Sequence, residues 1–157
     1  MLQPAFLFET TLNQKYQEDL YSEKLFYLVE DVWEFEIAID KSDEDCMQQV
    51  SVNSKYEILA YFSASINRRL YKVDSIEVII FKKDLVSSRD LLTFVKNLTD
   101  KFGFHKVNFE AVVGSPGEVV YDKHLKILNA RIVGIKKKET RLSDGKWYDV
   151  KLYEINP

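Results

Sequence analysis

From Val73 to Phe81 the chain is apolar at nearly every position, with Ile76, Val78, Ile79, Ile80 and Phe81 in close succession. A strand apolar on both alternations must be covered on both faces, so this segment is expected at the centre of a sheet. Glu77 interrupts the run and is read as sharing a face with Val73, Ile79 and Phe81. A carboxylate among core residues is partly desolvated, which raises its pKa toward that of a useful base. A structural salt bridge or an outward-facing edge position accounts for the same residue equally well.

The segments before this strand are less regular. Residues 5–8 form a short apolar run suited to a first strand or an extended arm. From Leu12 to Val32, apolar residues recur near helical spacing at Tyr16, Leu20, Leu25, Leu28 and Val32, which predicts one helix or two short ones broken near Ser22. Its aromatics read as core. Trp33, Phe35, Ile37 and Ile39 then alternate with Glu34, Glu36, Ala38 and Asp40, the pattern of a strand with one acidic face. Asp43, Glu44 and Asp45 point different ways from a polar loop and receive no metal assignment. Gln49–Val52 is expected to turn through Asn53-Ser54-Lys55 into a strand marked by Ile58, Ala60, Phe62, Ala64 and Ile66, followed by a turn at Asn67-Arg68-Arg69.

Two strand-to-helix units follow. Ser87 and Asp90 have capping-box spacing, with aspartate in place of the usual glutamate, ahead of a helical stripe of Leu91, Val95, Leu98 and Phe102 that ends at Gly103. Unpaired amides at such a helix start attract anions, and Arg89, Lys82 and Lys83 add positive charge; the same connection is also a common structural one. The second strand, Val107–Val113, leads through Gly114 into a helix with Ser115 as N-cap, Pro116 in the first position and Glu118 completing a capping box. That helix carries Val120, His124 and Ile127 on one line and Tyr121, Leu125 and Leu128 on another, with Asn129 placed to end it in the left-handed region. His105 and His124 are isolated and read as structural or surface residues. Arg131–Lys136 and Trp147–Ile155 are joined through the hairpin signal Ser143-Asp144-Gly145-Lys146.

A length of 157 residues suits a single domain spanning 1–157. The net charge of −3 argues against a partner that is a nucleic acid or an anionic membrane. Lys136-Lys137-Lys138, with Arg131 and Arg141, is the local exception, but consecutive lysines on a strand alternate faces. Cys46 is the single cysteine, so neither an internal disulfide nor a structural zinc cluster is available. The N-terminus has no basic segment before its short apolar run, and the expectation is a cytoplasmic protein.

The order of elements, together with Ser115-Pro116 and Tyr121-Asp122-Lys123, resembles the GNAT superfamily of acetyl-CoA-dependent N-acetyltransferases. The resemblance implies an α/β (α+β) fold, with a mixed, mostly antiparallel twisted sheet of about six to seven strands flanked by helices. It implies acetyl-CoA as co-substrate, with the pyrophosphate near the end of the first strand and the next helix, at Ile79, Ile80, Phe81, Ser87, Ser88, Arg89 and Asp90. Val113, Ser115 and Lys123 would meet the pantetheine arm, and Tyr121 would be the general acid. A phenol within reach of a departing thiolate can protonate or stabilise it, while Glu77 or an ordered water accepts the amine's proton.

The family's glycine signature at the pyrophosphate loop is absent. Leu85-Val86-Ser87-Ser88-Arg89-Asp90 stands there without a glycine, where glycine lets backbone approach phosphate closely. Two functions therefore stand side by side: N-acetyl transfer to a primary amine, of a small molecule or a protein, and a catalytically silent module of the same fold that binds a protein or small ligand. Acceptor choice would be set by the first helical region and the loops near residues 41–54 and 136–147. Glu34, Glu36, Asp40 and Asp43–Asp45 would suit a cationic amine. The chain would act as a monomer or a homodimer.

Overall fold

The apolar run does lie at the middle of a sheet. The computed structural model describes residues 1–27 and 35–156. Seven strands take the order β1-β2-β3-β4-β5-β7-β6. They are β1 (Leu2–Pro4), β2 (Cys46–Val52), β3 (Ile58–Asn67), β4 (Lys72–Ile80), β5 (Lys106–Val112), β6 (Ala130–Arg141) and β7 (Trp147–Ile155). Three α-helices accompany them: α1 (Glu9–Asp19), α2 (Leu85–Asp100) and α3 (Pro116–Leu128). Neighbouring strands are antiparallel except β4 and β5. That exception follows from α2, which carries the chain back so that β5 starts beside the start of β4.

Each face of β4 has its own cover, as a doubly apolar strand requires. On one side Ile76 and Val73 join Phe62, Phe94, Leu98, Phe109 and Tyr153 in a cluster roofed by α2 and α3. On the other, Ile79 and Phe81 join Leu12, Tyr16, Leu25 and Tyr61 beneath α1. A smaller cluster of Val112, Leu142 and Val150, with Phe26 and Tyr27 against it, covers the β5–β7 half. Full burial of a side chain such as Leu98 contributes about 1.5–3 kcal/mol.

Local chemistry sets the helix ends. Gly103, at φ 71°, closes α2: its amide bonds the Thr99 carbonyl at 3.0 Å, the 5→1 bond of a left-handed cap, and the Phe104 amide bonds the Leu98 carbonyl at 3.0 Å. Pro116 opens α3, and Asn129 ends it at φ 52°, both as the sequence predicts.

The N-terminal third departs from expectation. Ala5–Phe8 is a 3₁₀ turn and the first strand precedes it, because Pro4 has no amide with which to continue the ladder. The first helix begins at Glu9 and ends at Asp19, with a short 3₁₀ turn at Glu23–Leu25; Leu28 to Glu34 lie outside the described residues. Phe35–Ile39 pair with no strand among the described residues. Their backbone is held by side-chain amides instead. Asn13 accepts from the Ile37 amide at 2.6 Å and donates to its carbonyl at 3.2 Å. Gln17 donates to the Phe35 carbonyl at 3.2 Å and Gln48 to that of Ala38 at 2.7 Å. Ile37 and Ile39 still turn toward the α1 cluster, which accounts for the alternation in the sequence.

Candidate active site

The central parallel pairing is short. β4 and β5 match only at Lys72–Lys106 and Val73–Val107, whereas β3 follows β4 to Ile80 and β7 follows β5 to Val112. Beyond Val73 and Val107 the facing edges of β4 and β5 share no ladder. α2 starts just past the end of β4 and α3 just past the end of β5, so two helix N-termini stand at the same end of this break. Unpaired strand edges can take an extended, amide-containing ligand, and helix N-termini can take its anionic end.

A bulge lies where the pairing ends. Ser65 opposes Ser75 but Ile66 opposes Val73, leaving Asp74 as the extra residue in β4. Expectation is corrected here: the bulge reverses the alternation, so Val73 belongs to the α2 and α3 side. Glu77 keeps company only with Ile79 and Phe81, on the α1 side. It is half-buried, and Ser63 Oγ donates to its carboxylate at 3.2 Å. Burial, and then the Glu77 charge, push the Tyr61 phenol up. Burial, Asp43 and Glu77 raise the Cys46 thiol.

At α2 the cap is one turn earlier than the sequence suggests. Asp84, not Ser87, is the N-cap: its carboxylate accepts from the Val86 amide at 2.7 Å, and Ser87 Oγ accepts from the Asp84 amide at 3.3 Å. Ser87 is buried and its hydroxyl also donates to the Asp84 carbonyl at 2.8 Å. Ser88 Oγ donates to the same carbonyl at 3.2 Å, and Arg89 is exposed. Asp90 points inward, away from any first-turn anion. It lies 2.5 Å from the Met1 ammonium and accepts from Ser51 Oγ at 2.7 Å. The carboxylate that competes for the α2 amides is therefore Asp84.

Around α3, Ser115 Oγ accepts from the Glu118 amide at 3.1 Å, as a cap should. The return arm differs from a simple capping box, because Glu118 accepts from the Gly114 amide at 2.7 Å and pairs with Lys151. Lys151 also donates to Asp122 at 2.9 Å, and Asp122 accepts from the Tyr153 hydroxyl at 2.9 Å. These contacts bind the first two turns of α3 to β7. Tyr121 is buried with its ring edge-on to Phe109 and Tyr153, at centroid distances of 4.8 and 5.5 Å. Burial pushes its phenol up, so it stays protonated at neutral pH. The Val113 amide is used by the Asp149 carbonyl at 2.9 Å, and Lys123 is exposed.

The β4–β5 break thus gathers Ile79, Ile80 and Phe81, the α2 start and the α3 start at one end of the sheet, while Glu77 and Tyr121 lie on opposite faces. Sequence reasoning missed Asp84, Ser63 and the Lys151 cluster; Asp84-x-x-Ser87 was the available signal for the first. Two cavities lie elsewhere. One of about 190 Å³ adjoins Arg131 and Glu154, and one of about 440 Å³ lies beneath the β3–β4 hairpin among Cys46, Ile66, Tyr71 and Phe104. No residue of β4 or β5 lines either one.

The architecture is shared with solved acetyltransferases. The chain is similar to spermidine N-acetyltransferase from Vibrio cholerae in complex with CoA and spermine, at 16% identity and a TM-score of 0.73, covering 99% of this chain and 94% of that one. A point mutant of that enzyme gives a TM-score of 0.62 at 16% identity, covering 73% and 68%. A probable acetyltransferase gives 0.59 at 13% identity, covering 73% and 63%. No protein-family model matches the sequence, and neither does any curated protein. The seven-stranded mixed sheet with its interrupted central pair is the GNAT fold.

Proposed function

We propose that this chain transfers an acetyl group from acetyl-CoA to a primary amine. The observation that carries the reading is the break between β4 and β5, with two helix N-termini at its end and a carboxylate, Glu77, inside the sheet. In this reading the β4 edge at Ile79 and Ile80 bonds the extended arm of the cofactor, whereas the Phe81 amide is already bonded to the Leu59 carbonyl at 3.0 Å. The start of α2, with Ser88, Arg89, Lys82 and Lys83, takes the pyrophosphate. Ser115 orders the α3 start, and Val113 and Lys123 flank the arm.

The chemistry divides between the two faces. Glu77 accepts, directly or through water, the proton that the ammonium group loses. The freed amine nitrogen attacks the thioester carbonyl, a C–N bond forms and the C–S bond breaks. Tyr121 donates a hydrogen bond to the departing sulfur, which leaves as the free thiol once protonated. The products are the amide, the thiol and one proton. Glu36, Asp40 and Asp43–Asp45 give the acceptor side negative charge, with the Asp40 carboxyl held low by hydrogen bonds from Ser42. That charge and the spermine complex of the similar structure make polyamines the first acceptors to assay.

One observation favours a second reading, a silent module that binds a protein or small ligand. Asp84 caps α2 at the place where a pyrophosphate would sit, and no glycine opens that loop. Release of free thiol from acetyl-CoA with spermidine, measured beside calorimetry of acetyl-CoA alone, separates the two. Turnover supports the transferase, and absence of both heat and thiol rejects it.

A further inference from the structure

The α1 side of the sheet changes character row by row. Val50, Tyr61 and Ile79 are partners across β2, β3 and β4, and are 0%, 1% and 1% exposed. The next row is Gln48, Ser63 and Glu77, and the one beyond is Cys46, Ser65 and Ser75, of which both serines are exposed. Glu77 therefore stands where a sealed apolar floor gives way to an open polar one. A carboxylate at such a boundary needs a donor to fix its orientation and hold its charge.

Ser63 supplies that donor at 3.2 Å and is itself 9% exposed. Beside it, the Tyr61 oxygen accepts from Gln48 Nε2 at 2.9 Å, and the same amide group reaches the Ala38 carbonyl at 2.7 Å. Gln48 so ties the 35–39 segment to the row that contains Glu77. Tyr61 of β3 and Cys46 of β2 both face the carboxylate, and Asp43, in the turn before β2, acts on Cys46. The local field is one that draws a cation.

We propose that Ser63 is a positioning residue for Glu77, and that Gln48, Tyr61 and Ser63 shape the subsite receiving the acceptor's primary ammonium group. This rests on the acetyl-transfer reading. Ser63 acts through Glu77, since its hydroxyl favours the charged carboxylate and fixes its orientation.

Carboxyl-carbon NMR titration of Glu77, assigned with Glu77→Gln, reads the contact without turnover. Ser63→Ala is expected to raise the Glu77 pKa by about half to one pH unit, and Ser63→Thr to restore it. In kinetics with spermidine, the acid limb of kcat/KM should move up by the same amount in Ser63→Ala. Gln48→Leu should raise the acceptor KM about threefold or more, the loss of one net hydrogen bond. An unmoved Glu77 titration overturns the proposal. So does an active enzyme whose acid limb stays in place in Ser63→Ala, and that result leaves the acetyl-transfer reading standing. A wild-type chain that neither releases thiol nor gives heat with acetyl-CoA removes both readings.

Discussion

Replacing Asp84 by asparagine separates two roles that one carboxylate combines at the start of α2. Asparagine caps a helix about as well as aspartate, so the bond from the Val86 amide, 2.7 Å in the native chain, is retained. The negative charge disappears. Two unit charges about 6 Å apart in water repel by roughly 0.7 kcal/mol, or about threefold in affinity, and a diphosphate with two charges approaches tenfold. Calorimetry should therefore find acetyl-CoA bound about three to ten times more tightly by Asp84→Asn, with Tm changed by no more than about 1 °C. Asp84→Ala loses the cap as well. It should lose about 1 kcal/mol of stability, a Tm drop of about 2–4 °C for a chain of this length. Unchanged or weaker acetyl-CoA binding in Asp84→Asn would refute the placement of the pyrophosphate at the α2 amides.

Tyr121→Phe keeps the edge-on ring contacts with Phe109 and Tyr153; Tm should stay within about 2 °C while kcat falls about tenfold or more. Gly103→Ala has open space for its methyl group but must hold φ at 71°, so urea denaturation should show a loss of about 1 kcal/mol from backbone strain alone. Lys151 holds the Glu118 and Asp122 carboxyls below the ordinary range, and Lys106 with Arg131 does so for Glu154. Their stabilisation is complete above about pH 4.3 and is lost as pH falls through the depressed folded values. Lys151, raised by Asp122 and Glu118, contributes below about pH 10.4 and loses that contribution as pH climbs through its raised value. The urea midpoint should accordingly be flat from about pH 5 to 8 and fall at both ends. In Lys151→Met the midpoint at neutral pH should be lower and the acid fall shallower, because Glu118 and Asp122 no longer have a stabilising partner to lose.

The parts of the fold that were legible in the sequence obey local rules. Ser115, Pro116 and Asn129 fixed α3 to the residue because caps involve neighbours three or four positions apart. The β4 run announced a central strand because burial on both faces leaves no polar alternation. The α2 start carried two overlapping cap patterns, Asp84-x-x-Ser87 and Ser87-x-x-Asp90. Nothing within the segment chooses between them. The choice is made by Asp90's partners, Met1 and Ser51, which β1 and β2 bring in from far along the chain. Phe35–Ile39 alternated like a strand because Ile37 and Ile39 do face the core, yet their hydrogen-bond partners are side chains, and no strand pattern encodes those.

The candidate site was harder to read for a related reason. Alternation counts residues, whereas a sheet counts ladder partners, and the extra residue Asp74 makes the two disagree across β4. One inserted position moves Val73 to the helix-roofed side and leaves Glu77 opposite Ser63, on the side that α1 only partly covers. The same bulge sits where the β4–β5 pairing stops. A local kink that turns a strand out of pairing also re-aims the side chains after it. The opening between the strands and the placement of the carboxylate beside that opening thus have a common cause. Deleting Asp74 would leave Val73 opposite Ile66, Ser75 opposite Ser65 and Glu77 opposite Ser63 in unbroken alternation, so that no side chain changes face while the kink beside the opening is lost. The deletion variant should therefore keep its strand content by circular dichroism, as should Asp74→Ala, but should release thiol from acetyl-CoA more slowly than Asp74→Ala, which keeps the bulge.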